Sequence, residues 1–226
     1  MAIVTGAASG IGAACVRRFA QNGWTTAGFD LHQSSTDASV ELDVTDRNSV
    51  HEAVDAVIER FTRVDLLVSA AGYYEEGIPV TDISPEKWDR MLGVILGGTA
   101  NAFSAVLPYM LRQNSGAIVA ISSELALGGS STDLHYVAAK GAVLGLVKSL
   151  GLEVAHSGVR VNAVAPGPTD TPLLALDSVW RRPEYLGTLP LGRLVTPDEI
   201  AHTVYHLALS TMYCGEVLSP NSGAVI

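Results

Sequence analysis

The chain has 226 residues, 48% of them hydrophobic, and its 14 Lys and Arg against 23 Asp and Glu give a net charge of −9. That length and apolar content suit one large α/β domain or two small ones, and an acidic chain with no long basic run argues against nucleic acid as a partner. No uninterrupted apolar stretch reaches about 18 residues and the N-terminus lacks a basic leader, so neither a membrane span nor a signal peptide is expected.

Ile3 and Val4 read as the end of a short buried strand. Thr5-Gly6-Ala7-Ala8-Ser9-Gly10-Ile11-Gly12 follows, then an amphipathic run to about Asn22 with Val16 and Phe19 inward. A strand, a glycine-rich turn and a helix point backbone N–H groups and a helix dipole at a pyrophosphate. The spacing is not G-x-G-x-x-G. Still, three glycines within seven residues beside a strand favour a phosphate cradle over an ordinary turn. Thr25 to Phe29 is a second strand, and Asp30 ends it 18 residues after Gly12. An acid about 20 residues on meets ribose hydroxyls; the blander reading is a strand-end turn residue.

Val40 to Leu42 is a third strand, followed by Asp43 and Val44, and Arg47 to Phe61 is a helix. Val64 to Val68 is a fourth strand, ending in Ser69-Ala70-Ala71-Gly72. Pro85 opens a long helix towards Gln113 that is apolar on more than one face, as in a helix packed on several sides or against another subunit. Gly116 to Ser122 is a fifth strand. His135 to about His156 is a second long helix, Val159 to Ala165 a sixth strand, and Val217-Leu218 a seventh. Thr196 and Pro197 are the N-cap and first residue of a last helix. Alternating strands and helices predict a doubly wound parallel sheet in a single domain over 1–226. The irregular, apolar stretch from Pro168 to Val195 is expected to be a substrate lid.

The chemistry centres on Ser123, Tyr136 and Lys140. Tyr136 and Lys140 are four apart, so a helix sets them on one face. A tyrosine with a pKa of about 10 is a poor base at neutral pH, and a neighbouring ammonium lowers it. Such a tyrosine can exchange a proton with an alcohol or ketone. Ser123 lies thirteen residues before Tyr136, at the end of the fifth strand, where its hydroxyl can hold the reacting oxygen. Alone, Tyr-x-x-x-Lys is a weak signal that also describes a solvated helix face. Cys15 and Cys214 are expected to be buried thiols, and His202 and His206 a surface pair on a helix, with no metal-ligand spacing.

Taken together, Thr5-Gly6…Gly10-Ile11-Gly12, Asp43-Val44, Ala71-Gly72, Ser123, Tyr136…Lys140 and Pro166-Gly167 resemble, in order and spacing, the short-chain dehydrogenase/reductase family. The resemblance spans nearly the whole chain. It implies a nicotinamide cofactor and hydride transfer to or from a carbinol carbon. By position, Tyr136 is the general acid/base, Lys140 lowers its pKa and holds the nicotinamide ribose, and Ser123 orients the substrate oxygen. Gly6, Ser9, Gly10, Ile11 and Gly12 line the pyrophosphate and ribose. Asp43 and Val44 meet the adenine, Ala71 and Gly72 the middle of the cofactor, and Pro166, Gly167 and Thr171 the nicotinamide. Asp30 predicts NAD over NADP.

Two departures stand out. Ser69-Ala70 replaces the family's usual Asn-Asn. Ile95 stands seven residues after Trp88, where relatives carry an asparagine that anchors a water chain to the lysine. The first strand also begins closer to Met1 than in relatives. The reading that follows is an NAD-dependent dehydrogenase or reductase of a hydrophobic secondary alcohol or ketone. The substrate candidates are Tyr73, Tyr74, Glu124, Leu125 and Trp180. A cytoplasmic homo-oligomer, dimer or tetramer, is expected. The alternatives are 3-oxoacyl-thioester reduction and, in another class, an NAD-binding sensor or scaffold with little turnover.

Overall fold

The computed structural model describes residues 1–226. Its central strands are fully buried and largely apolar, as parallel strands covered on both faces must be. β1 (Ala2–Thr5) lies beside β2 (Thr26–Asp30), and β3 (Ala38–Glu41) forms the edge. α1 (Gly10–Gln21) joins the first two strands, and α2 (Arg47–Phe61) follows the third. β4 (Leu66–Ser69) returns to the other side of β1 in register, Val4 opposite Val68 and Thr5 opposite Ser69. The strand order therefore reverses between β1 and β4, and a crevice opens at their carboxyl ends.

α3 (Pro85–Leu92), a π turn at Gly93–Gly97 and α4 (Gly98–Gln113) form one continuous helix. It is long and apolar enough to cross a membrane, but much of that apolarity is an inward face: Met91, Ile95, Phe103, Val106 and Met110 pack in the core. β5 (Gly116–Ile121) leads through the short α5 (Leu125–Gly128) to α6 (Leu134–Val154), and then β6 (Val159–Val164) pairs with β5 over its whole length. After the short α7 (Pro183–Leu186), α8 (Pro197–Leu209) starts with Thr196 and Glu199 in a reciprocal capping box, and β7 (Val217–Leu218) closes a seven-stranded parallel sheet. One core layer packs α2, the long helix and α6 on the sheet; the other packs α1 and α8.

The elements match the sequence expectations within a residue or two at their ends. Cys15 is buried, but Cys214 is exposed, contrary to expectation, because it sits in the turn between α8 and β7. His202 and His206 are both exposed on α8. The segment from Pro168 to Val195 is less apolar inside than its composition suggests. Leu176 and Val179 are exposed, Leu176 92%, while Leu174 and Leu189 are buried and Leu173 borders the cleft.

Candidate active site

The crevice at the strand ends holds a cavity of about 670 Å³. All the sequence-derived candidates border it. Gly6, Ser9, Gly10, Ile11, Gly12 and Asp30 lie at one end with Asp43 and Val44; Ala71 and Gly72 lie midway. Ser123, Tyr136, Lys140, Pro166, Gly167 and Thr171 lie deeper, near Tyr73, Tyr74, Glu124, Leu125 and Trp180.

The glycine turn needs its glycines. Gly6 has φ +67° and Gly10 φ +51°, both left-handed. The Thr5 hydroxyl accepts from the amides of Ala70 and Ala71 at 3.1 and 3.2 Å, tying this turn to the end of β4. Asp30 is held open to the cleft by two backbone donors, Ala8 N–H at 3.0 Å and His32 N–H at 3.1 Å. Asn101 donates to the Val44 carbonyl at 2.9 Å, which fixes the Asp43–Val44 turn over α4. The positively polarised start of α1 and a turn with no room for Cβ atoms fit a pyrophosphate. Ser69, in place of the family's asparagine, donates to Thr99 at 3.2 Å and so braces β4 against α4.

The position of α6 is set by three contacts. The Ser122 hydroxyl donates to the Lys140 carbonyl at 2.9 Å. Lys140 Nζ donates to the Ile121 carbonyl at 2.9 Å. At the helix start, Asp133 is fully buried with φ +62° and accepts from Tyr74 Oη, Ile78 N–H and Thr132 Oγ1 at 2.8, 2.6 and 2.9 Å. Asp133 thereby joins the loop after β4 to the helix that carries Tyr136. The segment from Pro168 to Val195, expected to be a lid, is joined to the same loop. Glu76 accepts from Ser178 Oγ at 2.6 Å and Val179 N–H at 2.9 Å, and Trp180 Nε1 donates to Tyr74 Oη at 3.3 Å. None of these ties was read from the sequence. An Asp just before a helix signals a cap, but the left-handed backbone and the partners come only from tertiary structure.

The electrostatics differ from expectation at Tyr136. Its pKa is raised, not lowered: burial disfavours the phenolate, the Glu124 carboxyl adds to this, and the Ser123 hydroxyl opposes it. Lys140 Nζ stands 5.7 Å from the ring centroid and is turned to the Ile121 carbonyl. Burial also lowers the Lys140 pKa to about 8. Ile95 is buried, and Gly72 stands near both it and Lys140: a Cβ added there would lie 3.7 Å from Ile95 Cγ1 and 3.8 Å from Lys140 Nζ. Glu124 is 5% exposed, and burial lifts its pKa to about 7 against the hydrogen bond from Ser123. The net shift is upward, so desolvation outweighs the hydrogen bonds that favour the ionised form. A carboxyl with a raised folded pKa gives stability that is complete below its unfolded value and lost as pH rises through about 7.

A family model described as enoyl-(acyl carrier protein) reductase matches residues 6–224. The chain belongs to the short-chain dehydrogenase/reductase family. This short-chain dehydrogenase/reductase is 36% identical over 239 residues to the 3-oxoacyl-[acyl-carrier-protein] reductase FabG of Thermotoga maritima, covering 99% of this chain and 97% of that protein. It is also 36% identical over 237 residues to the cis-4-hydroxycyclohexanecarboxylate dehydrogenase of Sinomonas cyclohexanicum, covering 99% and 95%. The solved structure of ElxO with NADP bound superposes with a TM-score of 0.92 at 29% identity over 98% of this chain and 97% of that one. As a member of its family, this short-chain dehydrogenase/reductase is an oxidoreductase of CH–OH or ketone groups in small molecules, and it binds a nicotinamide cofactor.

Proposed function

We propose that this enzyme is an NAD(H)-dependent oxidoreductase that interconverts a secondary alcohol and a ketone, with its resting site set for ketone reduction. The observation that carries this is the convergence of Ser123, Tyr136 and Lys140 on one buried wall of the cleft that begins at the glycine turn. When bound, the nicotinamide supplies or accepts the hydride. Tyr136, kept as a phenol chiefly by burial, gives the proton to the carbonyl oxygen. Ser123 holds that oxygen, and Lys140 holds the ribose. Tyr74 packs edge-on to Tyr136 at 4.9 Å and accepts from Trp180 Nε1, so these rings wall the site beside Tyr136. The ring-rich walls fit a cyclic or aromatic substrate, as the cyclohexane-acting relative also suggests. A second reading, 3-oxoacyl-thioester reduction, is favoured by the FabG likeness and opposed by the acidic surface, which would repel an acidic carrier protein. A cytoplasmic homo-oligomer belongs to the proposal. The outer face of α6 supports the oligomer, with open space at Gly141 and Gly145 and Leu152 81% exposed.

The test is initial-rate turnover over a panel of cyclic alcohols, ketones and 3-oxoacyl thioesters, each with both cofactors. Asp30 offers its carboxylate where NADP would bring a 2′-phosphate, so NAD(H) should be preferred by roughly tenfold or more. Asp30→Ala should narrow that gap. Equal or better use of NADP(H) by the wild type would contradict the cofactor reading.

A further inference from the structure

Glu124 follows Ser123 directly and is buried in the wall of the substrate cavity. Their side chains are hydrogen-bonded to each other: Ser123 Oγ donates to Glu124 Oε2 at 3.0 Å, while Leu125 N–H donates to Ser123 Oγ at 3.2 Å. A serine hydroxyl has one proton and two lone pairs. The amide of Leu125 occupies one lone pair, and an ionised Glu124 takes the proton. Ser123 then has only a lone pair left to present to the substrate, and a ketone oxygen is an acceptor too. If Glu124 is protonated, the bond reverses. The carboxylic acid donates to Ser123, and the Ser123 proton turns to the substrate oxygen.

We propose that Glu124 is a positioning residue whose protonation sets the direction of the Ser123 hydrogen bond, so that the neutral acid is the form that supports ketone reduction. The inference rests on the proposed ketone reductase reading. No proton is lost or gained by Glu124 in the step; hydride goes to the carbonyl carbon and the proton comes from Tyr136.

The surroundings suit such a switch. Tyr136 on α6 and Tyr185 on the lid both have raised pKa values in part because of the Glu124 charge, and Tyr185 reaches about 12. The backbone amide of Glu124 is engaged by the Pro166 carbonyl at 2.9 Å, which fixes the residue beside the end of β6. The nearest ammonium on α6, Lys140, is held by the Ile121 carbonyl, and no cation lowers the Glu124 pKa. Burial therefore places its titration at about 7.

The experiment compares the pH dependence of ketone reduction in the wild type and Glu124→Gln, with thermal melts to confirm folding. Glutamine is always neutral and can donate to Ser123 through its amide. The wild-type rate should fall roughly fourfold between pH 6 and pH 7.5, following a group of pKa near 7. In Glu124→Gln only Lys140 titrates nearby, so the fall should be less than about 1.5-fold. The same fall in both proteins would overturn the proposal. A second readout needs no turnover. With the glutamate side-chain carboxyl carbons labelled with carbon-13, one resonance should titrate near pH 7, vanish in Glu124→Gln, and move to higher pH in Ser123→Ala, where the ionised form loses its donor. A resonance insensitive to Ser123→Ala would also overturn the proposal. If the carboxyl titrates as expected but no ketone is reduced, the Ser123–Glu124 coupling stands as a structural feature, while the reductase reading and the catalytic role assigned to Glu124 both fail.

Discussion

Tyr136→Phe is expected to lower turnover by roughly a hundredfold or more while leaving NAD binding near wild type. The ring is 8% exposed and packs edge-on against Tyr74, so phenylalanine keeps the contact and the shape. Only the hydroxyl is lost, and with it the proposed proton donor to the substrate oxygen. Lys140 keeps its own bond to the Ile121 carbonyl, so the ribose site should survive. Stopped-flow reduction and calorimetric NAD titration separate the two effects. Normal turnover in the variant would remove Tyr136 from the mechanism; lost NAD binding would show that its role is structural.

Gly12→Ala should have an effect of similar size by another route. A Cβ at Gly12 would overlap the Gly6 carbonyl oxygen and lie 2.7 Å from its carbonyl carbon. The turn is crowded on its other side too, where a Cβ at Gly6 would lie 2.9 Å from the Ala70 and Ala71 backbone. The turn must deform, at a cost of about 3 kcal/mol, equal to more than a hundredfold in cofactor affinity if the fold absorbs it or to a matching loss of stability if it does not. Thermal unfolding together with NAD titration detects either outcome. A variant with wild-type melting and affinity would show that this turn does not cradle the cofactor.

What could be read from the sequence was what short-range pattern encodes. Buried strands such as Ala-Ile-Val and Ile-Val-Ala appear as apolar runs, and the Thr5–Gly12 turn as closely spaced glycines. The four-residue spacing of Tyr136 and Lys140 gives a shared helix face at once. The direction of the Tyr136 shift was not legible. It depends first on how fully Tyr136 itself is buried, then on the Glu124 carboxyl beside it, with Lys140 turned to the Ile121 carbonyl, all matters of packing. Composition likewise does not say which leucines of the segment from Pro168 to Val195 border the cleft, as Leu173 and Leu174 do, and which are exposed, as Leu176 is. Asp133 and Glu76 look like ordinary loop acids until the fold brings them to Tyr74 and Ser178.

The most direct measurement of the central claim is the fate of the carbinol hydrogen. The enzyme is incubated with NAD and secondary alcohols deuterated at the carbinol carbon, across cyclic, aromatic and 3-hydroxyacyl classes, and the reduced nicotinamide is examined by mass spectrometry. The proposed reaction places one deuterium on the nicotinamide for each ketone formed. Thermal stabilisation by NAD with no deuterium transferred from any of these alcohols would contradict it and leave a cofactor-binding protein in place of an enzyme.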